Sequence, residues 1–203
     1  MKNIYIDSNA WNYLFDRNID LSAVFPKDSF SIFITREVEI ELSAIQDMGK
    51  DGTDKRALKA YIEGSLLANR VQTSSVFGFA AIEPDGSLSK VQVYGGFGQG
   101  TFQSVADRDW HASSEVKRFT AAKSKRGSGL SANQADASLG ARSFDSIVLT
   151  REPAGGKGPL QLAAQQGGQV LFLEEVERSG LSLADYIAAN FPVLCASTPT
   201  ELP

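Results

Sequence analysis

Acidic side chains are the residues of this sequence best suited to chemistry. Four of them lie at the ends of predicted strands or within predicted helices near those ends: Asp7, Glu41, Asp136 and Glu152. The chain has one cysteine, Cys195, predicted to be inert, and one histidine, His111; this excludes a cysteine-built zinc site and histidine-pair metal motifs. Four carboxylates held close together repel one another and cannot all stay ionised without a cation. Oxygen ligands favour Mg²⁺ or Mn²⁺, which activates water and shields charge on a phosphodiester.

Each acid also has a purely structural interpretation. Asp7 could simply cap the helix that follows it, although Ser8 or Asn9 could do the same. Asp136 could be a first-turn acid that the helix dipole favours. Glu152 could be a plain loop acid.

The choice of Glu41 rests on its place along a helix. Glu37 and Glu39 are rivals, and all three could form a solvated helix face. Glu41 is preferred because it precedes Leu42 on the apolar stripe, so we expect it near the buried edge.

Composition indicates one packed domain, residues 1–203. The chain is 42% hydrophobic and 22% charged, which excludes disorder, collagen and coiled coil. No apolar run approaches the ~20 residues that cross a bilayer, and Asp7 comes too early for a signal peptide. We therefore expect a cytoplasmic protein with no membrane contact. The net charge of −4 opposes whole-surface attraction to nucleic acid but leaves room for a local basic patch.

Short apolar strands alternate with helical segments, which predicts an α/β fold with a mostly parallel sheet. The predicted strands are residues 3–6, 29–34, 146–149 and 169–173. The predicted helices are residues 10–15, 36–48, 55–68, 105–122, 133–141, 160–166 and 183–190. Residues 71–129 are interpreted as an insertion with a β-hairpin and a helix.

The strand order selects a single crevice. In parallel sheets, ligands bind beyond the carboxyl ends of the strands. Asp7 follows the strand at 3–6, and Thr150 and Glu152 follow the strand at 146–149.

Two further acids are expected to reach the same crevice. Asp136 lies in the first turns of the helix that leads into the strand at 146–149, and Glu41 lies in the helix after the second strand. Asn9 and Thr150 could orient a carboxylate or a metal-bound water, or act as simple caps. We therefore expect the four carboxylates to converge.

The insertion carries several weaker signals. The predicted hairpin arms are 80–82 and 90–94, and the glycine cluster at 95–100 lacks the ending of a P-loop, so a loop is expected there. A basic run could neutralise an RNA backbone or form a solvated helix end. Its residues are Lys117, Arg118, Lys123, Lys125 and Arg126. His111 and Trp110 suggest a general acid and a base-stacking ring, with structural roles as the alternative.

Four stretches resemble elements of the PIN-domain family of metal-dependent nucleases. They are Ile4-Tyr5-Ile6-Asp7-Ser8-Asn9, Ile34-Thr35…Val38…Glu41-Leu42, Asn133…Asp136-Ala137…Leu139 and Ile147-Val148-Leu149-Thr150-Arg151-Glu152. In that family these elements carry four catalytic acids in this order. The C-terminal segment from Leu160 to Tyr186 also resembles a PIN ending. The chain departs from the pattern in the wide spacing of Glu41 and Asp136, and in Glu152, where the family usually has Asp.

The resemblance implies a three-layer α/β/α fold and a Mg²⁺- or Mn²⁺-dependent endoribonuclease. The expected products carry a 5′-phosphate and a 3′-hydroxyl. It also implies a toxin-like role with an antitoxin or immunity partner, and a homodimer.

Two other functions are considered. One is a catalytically inactive PIN-like module that binds RNA or protein. The other is a phosphatase of the haloacid dehalogenase type, which needs a second Asp two positions after the first, where this chain has Asn9.

Overall fold

The computed structural model describes residues 1–74, 76–77, 100–101, 104–121, 128–131 and 133–191. The strands are β1 (Lys2–Ile6), β2 (Phe30–Ile34), β3 (Gln72–Thr73), β4 (Val76–Phe77), β5 (Gly100–Thr101), β6 (Ile147–Thr150) and β7 (Val170–Phe172). The helices are α1 (Ala10–Asp16), α2 (Leu21–Val24), α3 (Arg36–Ser43), α4 (Arg56–Ala68), α5 (Val105–Ala112), α6 (Ser114–Thr120), α7 (Gln134–Arg142), α8 (Pro159–Gln165), α9 (Leu173–Ser179) and α10 (Leu183–Asn190).

The predicted fold class is confirmed. A five-stranded sheet has the order β3-β2-β1-β6-β7, and all of its pairs are parallel. Helices flank the sheet in three α/β/α layers. No helix in the described ranges combines the length and the apolar character needed to cross a membrane.

The central strand β1 explains why the chain folds this way. Its apolar residues Ile4 and Ile6 are fully buried between β2 and β6. A strand buried on both faces reads as a continuous apolar run, which is what a parallel sheet requires. Ile6 pairs with Leu149 of β6, so the two strands end side by side and present Asp7 next to Thr150.

Some predicted boundaries were wrong. The helix predicted at 36–48 ends at Ser43, because Ala44 caps it. The helix predicted at 105–122 is two helices, α5 and α6, separated at Ser113. The Ser113 hydroxyl accepts a hydrogen bond from the Val116 amide, and this local bond starts a new helix. Helices α2 and α9 and strand β3 were not predicted.

Part of the predicted insertion lies outside the described residues. This holds for the hairpin arms at 80–82 and 90–94 and for residues 95–99 of the glycine cluster. Strands β4 and β5 form a separate parallel pair at the borders of this segment.

Helix α5, near the end of the predicted insertion, packs against α7, one of the helices that flank the sheet. Trp110 is 5% exposed, and its Nε1 donates a hydrogen bond to the Ala137 carbonyl at 2.8 Å. Phe144 meets the Trp110 ring edge-on, with centroids 5.5 Å apart. Gly140 of α7 lies against the same ring, where a Cβ would come within 2.5 Å of a ring carbon.

We predict that Gly140→Ala destabilises the protein by about 1–3 kcal/mol, because the rigid indole must move away. Gly64→Ala is the matched control, since Gly64 also lies inside a helix but has open space around its Cβ position. That control should gain about 0.5–1 kcal/mol from helix propensity. Urea denaturation measures both free energies of unfolding. Equal stability of Gly140→Ala and the parent would contradict the packing described here.

Candidate active site

Asp7 is the anchor of the candidate site. It follows β1, is 1% exposed, and its amide donates to the Leu149 carbonyl at 3.0 Å. Its Oδ2 accepts a hydrogen bond from the Thr150 hydroxyl at 2.7 Å, and its Oδ1 accepts one from the Ser8 amide at 2.6 Å. Helix α1 begins after Asn9 and has no side-chain cap. The interpretation of Asp7 as only a helix cap was therefore wrong, and Thr150 orients a carboxylate.

Two other predicted acids lie close enough to change the charge state of Asp7. The pKa of Asp7 rises from 3.8 to about 7, first because of burial and then because of the negative charge of Asp136. The hydrogen bond from Thr150 opposes this rise, and the charge of Glu41 adds to it. The Ser8 hydroxyl donates to Glu41 Oε2 at 2.6 Å, so Ser8 contacts both acids.

Glu152 reaches this group through intermediate residues. Asn9 Nδ2 donates to Glu152 Oε1 at 3.1 Å, while Asn9 Oδ1 accepts a hydrogen bond from the Arg151 amide at 2.7 Å. The Glu152 amide donates to the Thr150 hydroxyl oxygen at 3.0 Å. Asn9 and Thr150 therefore connect Glu152 to Asp7, and they tie the turn after β1 to the turn after β6.

The rivals of Glu41 have other environments. Glu39 forms an ion pair with Arg36 on the surface of α3. Glu37 is 8% exposed, and its Oε2 has no hydrogen-bond partner among the described residues. Burial raises the pKa of Glu37, and hydrogen bonding by Ser138 of α7 opposes the rise. Glu37 is thus a buried acid on the side of α3 that faces α7, one turn before Glu41.

The basic run is only partly described. Lys117 and Arg118 lie exposed on α6. Asn133, which precedes α7, donates through Nδ2 to the Phe119 carbonyl at 3.1 Å, so α6 is held beside the start of the helix that carries Asp136. The remaining members of the run lie outside the described residues, and they are Lys123, Lys125 and Arg126.

Trp110 and His111 have positions that sequence could not assign. Trp110 is a core residue, so the interpretation of its ring as a base-stacking surface was wrong. His111 is half-buried, and burial lowers its pKa although the nearby Asp107 carboxylate acts in the opposite sense.

Sequence reasoning missed one connecting residue. Ser8 was considered as a helix cap, whereas its amide and hydroxyl hold Asp7 and Glu41 together. The available signal was a hydroxyl residue directly after the acid that ends a buried strand.

The donor chemistry fits a hard divalent cation. Asp7, Glu41 and Asp136 offer carboxylate oxygens, and a cation between them would offset the repulsion that raises the pKa of Asp7. Within the described ranges, no group of three acids, histidines or cysteines is already arranged to hold a metal ion. The donor types fit Mg²⁺ or Mn²⁺.

Comparison of this chain with protein-family models, curated proteins and solved structures gave no match.

We predict that Asp7→Asn stabilises the protein in the presence of EDTA, on the order of 4 kcal/mol at pH 8. Because the folded-state pKa of Asp7 is about 7 and the unfolded value is near 4, the folded parent binds more protons between these values. Its stability therefore falls as the pH rises from about 4 to about 7. The difference between variant and parent should grow through this window and level off above it.

Urea denaturation at several pH values measures this difference. Asp109→Asn is the control, since Asp109 is exposed on α5 and its substitution should give a small difference at every pH. A constant offset between Asp7→Asn and the parent from pH 4 to pH 8 would contradict the raised pKa.

Proposed function

We propose that this protein is a Mg²⁺- or Mn²⁺-dependent endoribonuclease of PIN-like fold that hydrolyses RNA phosphodiester bonds. The observation that carries the proposal is the buried Asp7 carboxylate, whose pKa is raised to about 7 partly by Asp136 and Glu41. Buried acids with strongly perturbed pKa values are typical of functional sites, because they cost stability that a purely structural residue would not need to cost. Asp7 also follows β1 directly, and the carboxyl ends of parallel strands are where such sheets bind ligands.

Three acids would hold the metal: Asp7, Asp136 and Glu41. When bound, Mg²⁺ or Mn²⁺ supplies an activated water and shields the charge that develops on the phosphodiester. Asp7 presents two fixed oxygens, since Thr150 and the Ser8 amide each hold one of them. Each oxygen keeps capacity for a further ligand, because a carboxylate oxygen has two lone-pair sites.

Glu152 is proposed as the fourth acid of the site. Asn9 Nδ2 donates a hydrogen bond to the Glu152 carboxylate, and Asn9 Oδ1 accepts a hydrogen bond from the Arg151 amide. Asn9 and Thr150 are therefore supporting residues that keep the turns after β1 and β6 in one arrangement. The bridging role of Asn9 also explains why an amide side chain stands two positions after Asp7, where a haloacid dehalogenase would need Asp.

RNA would be attracted by local positive charge, since the chain as a whole has a net charge of −4. Lys117 and Arg118 on α6 are exposed beside the start of α7. The toxin-like role, the antitoxin or immunity partner and the homodimer are expectations from the resemblance alone.

One observation favours the alternative of an inactive RNA- or protein-binding module. Among the described residues, no three acids form a ready-made metal-ligand group. The two functions differ in a direct experiment, because a binding module would retain RNA without metal-dependent cleavage.

We predict that the parent cleaves single-stranded RNA with Mg²⁺ or Mn²⁺ and that EDTA stops the cleavage. Asp7→Asn and Asp136→Asn should each lower the rate by more than about 100-fold, because each removes a charge that holds the metal. Product ends can be read by radiolabelling, and 5′-phosphates are expected. Asp109→Asn should cleave at the parent rate. If Asp7→Asn is as fast as the parent, the nuclease assignment is wrong.

We predict a graded result at Glu152. Glu152→Gln should lower the cleavage rate by about 10-fold, less than Asp7→Asn, because Glu152 reaches Asp7 only through Asn9 and Thr150. Glu152→Asp should retain more activity than Glu152→Gln, since it keeps the charge. Initial rates at saturating metal measure the series. A loss at Glu152→Gln equal to that of Asp7→Asn would instead make Glu152 a principal ligand.

A further inference from the structure

A cavity of about 470 Å³ opens directly beside the candidate site. It lies between α1, the segment that follows α3, and α4. Ser8, Asn9 and Glu41 line it, and all three belong to the hydrogen-bonded group around Asp7. A molecule in this cavity would therefore be continuous with one held at the acids. The volume falls in the range of small-ligand pockets, roughly 300–1,000 Å³.

The walls of the cavity are largely apolar. Ile45, Met48, Leu58 and Ile62 contribute to them. Met48 is 53% exposed, so its side chain is accessible to a ligand. Apolar surface of this kind can cover the face of an unstacked nucleobase, because burying apolar area is favourable.

Two cations at the cavity distinguish it from a purely apolar groove. Lys50 and Lys55 line it. Their neighbours Arg56 and Lys59 are engaged elsewhere, in ion pairs with Asp54 at 2.6 Å and with Asp47 at 2.5 Å. Within the described ranges, neither Lys50 nor Lys55 forms an ion pair of this kind. A hydrogen bond from the Thr53 amide lowers the pKa of the nearby Asp51, and the charge of Lys55 lowers it further, so Asp51 offsets part of the Lys55 charge, whereas Arg56 and Lys59 are held in direct ion pairs. Positive charge at the cavity is therefore less fully neutralised than the charge beside it.

The loop that carries these lysines is closed by backbone bonds. Met48 and Asp54 form an antiparallel bridge, the Gly49 amide donates to the Thr53 carbonyl at 2.7 Å, and the Lys55 amide donates to the Asp47 carbonyl at 2.8 Å. A closed loop holds its side chains at set positions, which lowers the entropy lost when a ligand binds.

We propose that this cavity binds the nucleotide of a single-stranded RNA next to the phosphodiester held at the acids. The base packs against the apolar wall at Met48 and Ile45, and Lys50 and Lys55 contact the adjoining phosphates. This assignment rests on the proposed function, and it adds a binding site for the nucleotide next to the cleaved bond and the side of the acids on which the RNA strand continues. An RNA duplex does not fit, because its bases are stacked and paired.

The two methionines of the chain give a direct test. Met48 lines this cavity, while Met1 precedes β1 at the opposite end of the strand and lines a different, smaller cavity. The Asp7→Asn variant, labelled at the methionine methyl groups, is titrated with a short single-stranded RNA in Mg²⁺, and binding is followed in parallel by fluorescence anisotropy. The Met48 methyl signal should shift, the Met1 signal should not, and Met48→Leu assigns the peaks.

Charge variants supply the second arm. The double variant Lys50→Gln, Lys55→Gln should bind RNA more weakly and lower the slope of log affinity against log salt by about 1.4, the value for two contacts on a single strand. The control is Arg56→Gln, Lys59→Gln, which removes the same charge from the same segment but away from the cavity. It should leave the slope nearly unchanged.

The outcomes separate this inference from the proposed function. RNA that binds without moving the Met48 signal, or equal effects of the two double variants, overturns the cavity assignment even if the parent cleaves RNA. A parent that does not cleave, combined with a Met48 shift, overturns the nuclease and leaves an RNA-binding cavity.

Discussion

Negative charge buried at the end of the central strand is the constraint on which the rest of this structure depends. Asp7 is nearly inaccessible to solvent, and Asp136 and Glu41 add to the cost of ionising it. Hydrogen bonds from the Thr150 hydroxyl and the Ser8 amide to the two carboxylate oxygens of Asp7 partly stabilise its ionised form. Those bonds do not return the pKa to its ordinary value. A carboxylate kept in such a place is more easily understood as a ligand or a reactive group than as an element of stability.

The topology of the parallel sheet brings Asp7, Glu41 and Thr150 together. Because β1 lies between β2 and β6, the segments after all three strands lie along one edge of the sheet. The register that pairs Ile6 with Leu149 puts Asp7 beside Thr150, and α3 follows β2 and carries Glu41 to the same edge. Residues far apart in sequence therefore meet through backbone pairing alone, and the side chains add the finer connections, as Asn9 does between the two turns.

The parts of this arrangement that sequence could predict are those set by strand ends. Asp7 and Thr150 follow continuous apolar runs, and such runs mark buried parallel strands without knowledge of the tertiary structure. The helix carrying Glu41 was placed correctly but made too long, since α3 ends at Ser43 while the apolar stripe continues to Ile45. Burial of Glu37 was equally invisible, because it requires the contact between α3 and α7.

The distribution of positive charge follows from the same constraint. An acidic edge repels a polyanion, so if the proposed function holds, a chain of net charge −4 needs cations close to its acids more than it needs a basic surface. Two described groups of cations lie near elements that carry the acids: Lys50 and Lys55 at the cavity that Glu41 lines, and Lys117 and Arg118 on α6, which is held beside the start of α7. Cations that are paired with nearby acids, such as Arg56 with Asp54, contribute little to such attraction. For the proposed function, this distribution favours a strand that passes across the acids with basic side chains along its path, and single-stranded RNA meets that description better than a compact anion, which would need only one group of cations.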